Sequence, residues 1–460
     1  MQQMQWSTHQ IKQCNKETGQ AMLSDEHSLV FYSQDFSKLF QSRPSTVCIP
    51  HSIDKIQAIL SFANQNNLSL TIRGKGLSQN GQSLSAEGGF ILHLEQLTKV
   101  LDKESEAIWV ETSCTFAQLL ELTLKSDEIP YVLPYNLNLS IGGVLSAGGA
   151  GASSFKFGPV SAHVKALEVI LANGEKRFVD EHSDLFKACL SGQGRFAVIT
   201  KACFKLRRAQ KFVRTFYLVY LDKEQWLSSL DEIKKNADYI EAFCSPATQG
   251  LKLVSGKRRP FAQWLYGIHA SVEYDSCPPE FNDLFKNAQP WQIVHQQDEP
   301  ILTYLHRHDS RFEFMKVTGQ WDLVHPWYEC FMSKQLLSSN LEEILAELPV
   351  HYASLIQVVP IANKQQTGFF MLPEVQEVYE LMILNPGVQS VLVPSCLQAM
   401  EVMDAKFLKQ GGKRYLSGYV GRNLDTRFWQ NHFGNLYDDW INLKEKYDKQ
   451  HTFCSLMLLK

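Results

Sequence analysis

The sequence predicts an α+β protein of two domains, and three observations carry that expectation. The chain has 460 residues, too many for one small core. From Pro44 a strand, helix and strand alternate, and glycine-dense loops recur beside strands as far as Arg208. Beyond Arg208 those loops stop, and runs such as FVRTFYLVYL and FAQWLYGIHASVEY take over, with the aromatic and β-branched content of strands.

Residues up to about Leu39 read as a mixed lead-in with room for one helix. STVCIP is a short strand, SIDKIQAILSFAN (Ser52 to Asn64) is a capped amphipathic helix, and LSLTIRG is a second strand, together an α/β unit. The second strand runs into RGKGLSQNGQS, where Gly74, Gly76 and Gly81 are interleaved with Ser78, Asn80, Gln82 and Ser83. Glycines at a strand end present backbone N–H groups to a phosphate, with an ordinary hairpin loop as the competing reading. The spacing is not a Rossmann fingerprint, and Lys75 is not followed by Ser or Thr as in a P-loop.

GGFILHLEQL gives another strand and turn, and AIWVETSCTFAQLLELTLKS a strand feeding an amphipathic helix. The stretch from Leu133 to Gly151, LPYNLNLSIGGVLSAGGAG, then opens into Gly142, Gly143, Gly148, Gly149 and Gly151. Backbone without Cβ atoms lets peptide groups approach an anion or a planar ring, and a tight helix contact would use the same residues. VKALEVILANGEKRFVD reads as a hairpin turning at Asn173-Gly174. A third glycine cluster, Gly192 and Gly194, lies between a helix and a β-rich run. One extended ligand with several segments would explain all three loops.

Composition narrows the function classes. A net charge of -3 without a basic block gives no electrostatic reason to expect nucleic acid. No apolar run is long enough for a membrane span, and MQQMQWSTHQIKQCNKE is too polar for a signal peptide core. The expectation is a cytoplasmic protein, with export without a cleaved signal left open. The ten cysteines are scattered without CxxC, which fits reduced thiols. The pair His306 and His308 sits in a charged context, LHRHDSRFE, where an exposed or capping role is preferred to a metal. No metal is expected.

The motifs RGKGLSQNGQS, LSIGGVLSAGGAG with FGPV soon after, and SDLFKACLSGQGRFAVIT resemble the FAD-binding domain (PCMH type) of vanillyl-alcohol-oxidase-type flavoenzymes. The resemblance is nearest to the cytokinin dehydrogenase and berberine-bridge-like group. It continues in WDLVHPWYECF (Trp321 to Phe331) and in the segment from Lys413 to Lys446. It implies an FAD domain over residues 40–208, an antiparallel cap over 209–410 and a C-terminal segment, 411–460, returning to the FAD domain, with 1–39 as the lead-in. The FAD contacts implied are Arg73, Gly74, Lys75, Gly76, Leu77, Ser78, Gly81, Gln82, Ser140, Gly142, Gly143, Gly148, Gly151, Gly194, Ile199 and Tyr415. Trp321 and Trp327 fall on the substrate side, and His325 is read as structural.

The chain departs from that family in three places. Leu77 stands where the family has a histidine bonded to the flavin. Leucine has no nucleophilic atom, so FAD is expected to be non-covalent. Tyr135 stands where cytokinin dehydrogenases have a proton-accepting aspartate. A phenol with an ordinary pKa near ~10 is a poor base, which places cytokinin-type amine oxidation in doubt. Tyr135 and Asn136 are then the catalytic candidates, as groups that bind or orient a substrate, or Tyr135 simply fills space above the ring. Finally, HTFCSLMLLK replaces the family's closing proline-glycine-glutamine segment.

The expected function is an FAD-dependent oxidoreductase taking a hydride from a small alcohol or amine, with oxygen or a quinone as the unassigned electron acceptor. The alternative is a degenerate flavin-binding module. A replacement base in the cap separates the two, with Asp298, Glu299, His306 and Asp309 as candidates.

Overall fold

The computed structural model describes residues 5–104, 106–347, 355–363, 368–421 and 424–459. Three sheets organise them.

The first sheet runs β1 (Met22–Leu23), β2 (Thr46–Cys48), β3 (Thr71–Arg73) and β4 (Phe90–His93) in the order β1-β2-β4-β3. Both β2 and β3 lie parallel to β4, so a helix must cross between them. That helix is Ile53–Gln65, capped by the Ser52 hydroxyl and buried along Ile56, Ile59, Leu60, Phe62 and Ala63. The lead-in is more structured than its sequence suggests. It holds two helices, Thr8–Thr18 and Glu26–Phe31, and its strand β1 pairs with β2. Trp6 packs 4.4 Å from the Phe90 ring and donates its indole N–H to the Ser69 carbonyl at 2.7 Å.

The second sheet comprises β5 (Val100–Glu104), β6 (Ala107–Glu111), β7 (Glu128–Pro130), β8 (Val164–Ile170), β9 (Lys176–Asp180) and β10 (Val198–Arg208). It is ordered β5-β6-β10-β8-β9, with β7 also on β10. Asn173-Gly174 turns β8 into β9 as its sequence indicates, with Gly174 at φ +84°.

The third sheet is the cap. Its strands are β11 (Phe212–Tyr220), β12 (Tyr239–Val254), β13 (Lys257–Tyr274), β14 (Gln292–Pro300), β15 (Tyr328–Ser333), β16 (Leu355–Ile361), β17 (Val378–Leu384) and β18 (Lys413–Arg414). They run β14-β11-β13-β12-β16-β17-β15-β18 and every pairing is antiparallel. The two-residue period of a strand separates its faces. Ile240, Ala242, Ile268, Val358, Leu381 and Cys330 point into a core shared with Trp226, Leu337 and Met400 of the helices Lys223–Ile233, Lys334–Glu347 and Val393–Lys409. The alternate residues form the opposite face: Glu241, Phe243, His269, Gln357, Met382 and Glu329 all line one cavity.

After β18 the chain returns to the first domain. The Gly149 N–H donates to the Tyr415 hydroxyl at 3.0 Å. Further on, Phe453 bridges to Leu70, and Leu456 N–H reaches the Leu84 carbonyl. No helix among the described residues is long and apolar enough to cross a membrane.

Candidate active site between glycine loops and cap sheet

The cavity has a volume of about 450 Å³. Its floor comes from the loop after β3, the helix Ile141–Ala147 and the loop before β10; its roof is the cap sheet. Leu77, Ser78, Ser140, Gly142 and Gly143 therefore face Phe243, Gln357 and Met382 across it.

The loop after β3 is pinned from the lead-in. Asp35, 4% exposed, accepts from the Gly81 N–H at 2.9 Å, the Ser78 hydroxyl at 3.3 Å and the Ser37 hydroxyl at 2.7 Å. Gln82 ties the loop to the returning chain, donating to the Leu416 carbonyl at 2.6 Å. With the loop so held, the backbone N–H groups from Lys75 to Gln79 find no acceptor among the described residues.

One glycine of this floor leaves no room for a side chain. A Cβ on Gly142 would overlap the Thr112 hydroxyl, because the Gly142 N–H is bonded to the Thr112 carbonyl at 2.8 Å. Gly194, at φ +68°, has no atom within 4 Å of where a Cβ would stand, and it lines the cavity.

Of the sequence candidates, Gly74, Lys75, Gly76, Leu77, Ser78, Gln82, Ser140, Gly142, Gly143, Gly194, Ile199, Tyr415, Tyr135, Asn136, Trp321 and Trp327 come together around this cavity. Arg73, Gly81, Gly148 and Gly151 do not line it. Arg73 braces the loop from behind, donating to the Ser83 and Gln34 carbonyls. Gly81 packs on Leu456, Gly148 makes room for Phe370, and Gly151 for the Leu133 carbonyl. His325 is buried and stacks on Phe36 with ring centroids 4.4 Å apart, outside the lining.

The cap residues nominated as a base are placed elsewhere. β14 is the sheet edge, so Asp298 pairs with Arg214 at 2.7 Å and Glu299 accepts from Gln297. His306 and Asp309 bond to each other at 2.7 Å. None of the four lines the cavity.

A carboxylate and an imidazole that were not nominated line it instead. Glu241 on β12 is 5% exposed. Its Oε1 lies 2.7 Å from His308 Nε2, and its Oε2 accepts from Arg307 Nε at 3.0 Å. Burial opposes the Glu241 charge, but Arg307 and His308 outweigh it and hold the carboxyl well below its ordinary range. The His308 ring stands edge-on to Tyr135 with centroids 5.2 Å apart. Burial, reinforced by the charge of Glu241, holds the Tyr135 phenol well above its ordinary value, so it stays protonated and donates. The sequence signal for Glu241 was a single charge in the otherwise apolar run YIEAFC that opens the strand.

At the other end of the roof Glu329 on β15 lines the cavity, and Glu380 on β17, outside the lining, lies beside it. In the register, Glu329 faces Met382 and Phe331 faces Glu380, so the two acids sit diagonally on one face. Burial pushes Glu329 up to about 8; burial and the neighbouring Glu329 push Glu380 well above its ordinary value.

The residues present fit an FAD. Tyr135 Oη, Gln79 Oε1, Gln193 Nε2 and Glu329 Oε2 are buried without a protein partner, and all four residues line the cavity. Buried polar groups are ordinarily paired, so four such atoms around one glycine-floored cavity mark a polar ligand's place.

The comparisons agree with that geometry. A model of the FAD binding domain matches residues 44–179, and a model of the cytokinin dehydrogenase FAD- and cytokinin-binding region matches residues 273–455. The chain is an FAD-dependent oxidoreductase with an FAD-binding domain of the PCMH type. Within that class it is similar to an uncharacterized oxidoreductase of the fasciation locus of Rhodococcoides fascians, 26% identical over 92% of this chain and 95% of that protein. It is also similar to cytokinin dehydrogenase 2 of Arabidopsis thaliana, 25% identical over 90% of this chain and 89% of that one. A third relative is cytokinin dehydrogenase 9 of Oryza sativa subsp. japonica, 24% identical over 92% and 87%.

Proposed function

We propose that the chain oxidises a small alcohol or amine at a non-covalently held FAD, with His308 as the proton acceptor and Glu241 as its orienting partner. The observation that carries this reading is the 2.7 Å contact between His308 Nε2 and Glu241 Oε1 inside the cavity that the glycine loops floor. Bound FAD supplies the acceptor for a hydride from the carbon bearing the O–H or N–H group.

The residues of the chain provide the rest. With Nε2–H donating to Glu241, Nδ1 of His308 is left as an acceptor for the substrate proton. Glu241, ionised throughout the neutral range, stabilises the imidazolium that results. Tyr135, as a donor, holds the substrate heteroatom beside His308. Trp321 and Trp327 close the cavity with apolar surface; Trp327 is fixed by its N–H to the Asn385 carbonyl at 2.7 Å. The glycine loops from Gly74 to Gln82 and from Ser140 to Gly143 would hold the cofactor, and with Leu77 in the first of them no bond to the flavin forms there.

Anaerobic titration of the FAD-loaded protein with a panel of primary and secondary alcohols and amines tests this reading. Bleaching of the flavin band by a member of the panel is expected. An FAD-loaded protein that no alcohol or amine bleaches would contradict the proposed substrate class.

A further inference from the structure

The cavity carries a positive charge that nothing in the protein neutralises. Three residues after His308, on the same face of the helix Asp309–Val317, Arg311 also lines the cavity. No carboxylate among the described residues is within ion-pair distance of it. The nearest candidate, Glu241, already has one oxygen on Arg307 and the other on His308. Burial works against the Arg311 charge, with Glu241 the one group that supports it. A guanidinium cannot relieve that cost by releasing its proton.

The acids at the other end can relieve theirs. Burial raises both Glu329 and Glu380, so at neutral pH this pair is held largely protonated. Of the remaining titratable groups in the lining, Tyr135 and Tyr415 are neutral phenols and burial lowers His269 to about 4, while Lys75 adds a second cation at the exposed rim. The balance of fixed charge around the substrate space is therefore positive, and it is concentrated at Arg311.

We propose that the substrate carries an anionic group, a carboxylate or a phosphate, and that Arg311 binds it while the carbon to be oxidised lies near His308 and Tyr135. This inference rests on the reading of the cavity as the site of alcohol or amine oxidation. A planar fork of N–H donors matches either oxyanion in a two-point contact, and in a water-poor cavity such a contact selects strongly against a neutral or cationic analogue. Arg311 is a binding residue in this account and takes no part in proton transfer.

The test uses four compounds of one shape on the oxidised, FAD-loaded protein: phenylacetate, phenyl phosphate, phenylacetamide and phenethylamine. Each is titrated while the flavin absorption band is followed, so the readout is binding and not turnover. At least one of the two anions is expected to bind more tightly than the amide and the amine, and which one does so tells carboxylate from phosphate. Arg311→Met is expected to weaken that anion by roughly ten- to a hundredfold, and Arg311→Lys by less. The flavin content and the amide affinity of both variants are expected to match the parent, which shows that they are folded.

The proposal is overturned if the amide or amine binds the parent protein as tightly as the tighter of the two anions, or if the anion preference survives in Arg311→Met. It is also overturned if Arg311→Met loses its flavin while Arg311→Lys keeps it, because Arg311 would then serve the cofactor. A parent protein that takes up no FAD fails differently: it removes the oxidation site on which the proposal rests.

Discussion

His308 Nε2 lies 2.7 Å from Glu241 Oε1, joining the turn that leads into the helix Asp309–Val317 to the start of strand β12 inside the cavity. A carboxylate that holds one imidazole nitrogen fixes which nitrogen is free to accept a proton, which is how a histidine becomes a directed base.

His308→Gln is therefore expected to slow anaerobic flavin reduction by about 10²- to 10⁴-fold, with flavin content and spectrum unchanged. Glu241→Gln, which keeps the shape and removes the charge, is expected to slow it less, by roughly ten- to a hundredfold, since His308 remains. Stopped-flow reduction with any substrate that bleaches the parent protein measures both. Reduction at the parent rate in His308→Gln would assign the proton to another group.

The floor of the cavity makes a separate prediction. Gly142→Ala drives its methyl into the Thr112 hydroxyl, which is buried and cannot move freely. FAD affinity is expected to fall and stability to drop by about 1–3 kcal/mol, the usual range for overpacking. Thr112→Ala in the same chain removes the overlapping hydroxyl and is expected to restore much of both. Thermal melting with and without added FAD reads the two effects, and an unrescued double variant would show that the clash lies elsewhere.

These two sites differ in how much the sequence disclosed. The glycine loops were legible because glycine at a strand end has few other uses, and Gly74, Gly76, Gly142, Gly143 and Gly194 all reach one cavity. Gly148 and Gly151 look the same in sequence but serve chain packing against Phe370 and Leu133. The cap sheet was legible as aromatic strand runs, yet its register was not, and register alone decides that Glu241, Phe243 and Glu329 face the cavity. His308 was visible as half of His306 and His308, but Glu241, its partner, lies 67 residues away in sequence. Asp35 was equally hidden, since a lone aspartate in the lead-in acquires meaning only when Gly81 donates to it.

The Glu329 and Glu380 pair predicts a pH dependence whose sign is fixed. Burial raises Glu329 to about 8 in the folded protein, above an ordinary unfolded value near ~4.3. Between those values the unfolded chain releases its proton first, so this group costs nothing at low pH and increasingly destabilises the fold as pH rises towards 8. Glu329→Gln removes that cost. It is expected to leave stability near parent at pH 4 and to raise it by on the order of 1–3 kcal/mol at pH 8. Urea unfolding at the two pH values measures it, and a variant that gains nothing at pH 8 would mean that Glu329 is ionised at no cost.

The most direct test of the account is a visible absorption spectrum of the folded protein, repeated on the supernatant after acid precipitation. A flavin band in the folded protein that moves entirely into the supernatant is expected, because Leu77 offers no atom to bond the ring and the proposed hold of the glycine loops on FAD is by contact alone. Yellow colour retained in the pellet would contradict non-covalent binding, and a protein that stays colourless after incubation with FAD would contradict the assignment of the cavity itself.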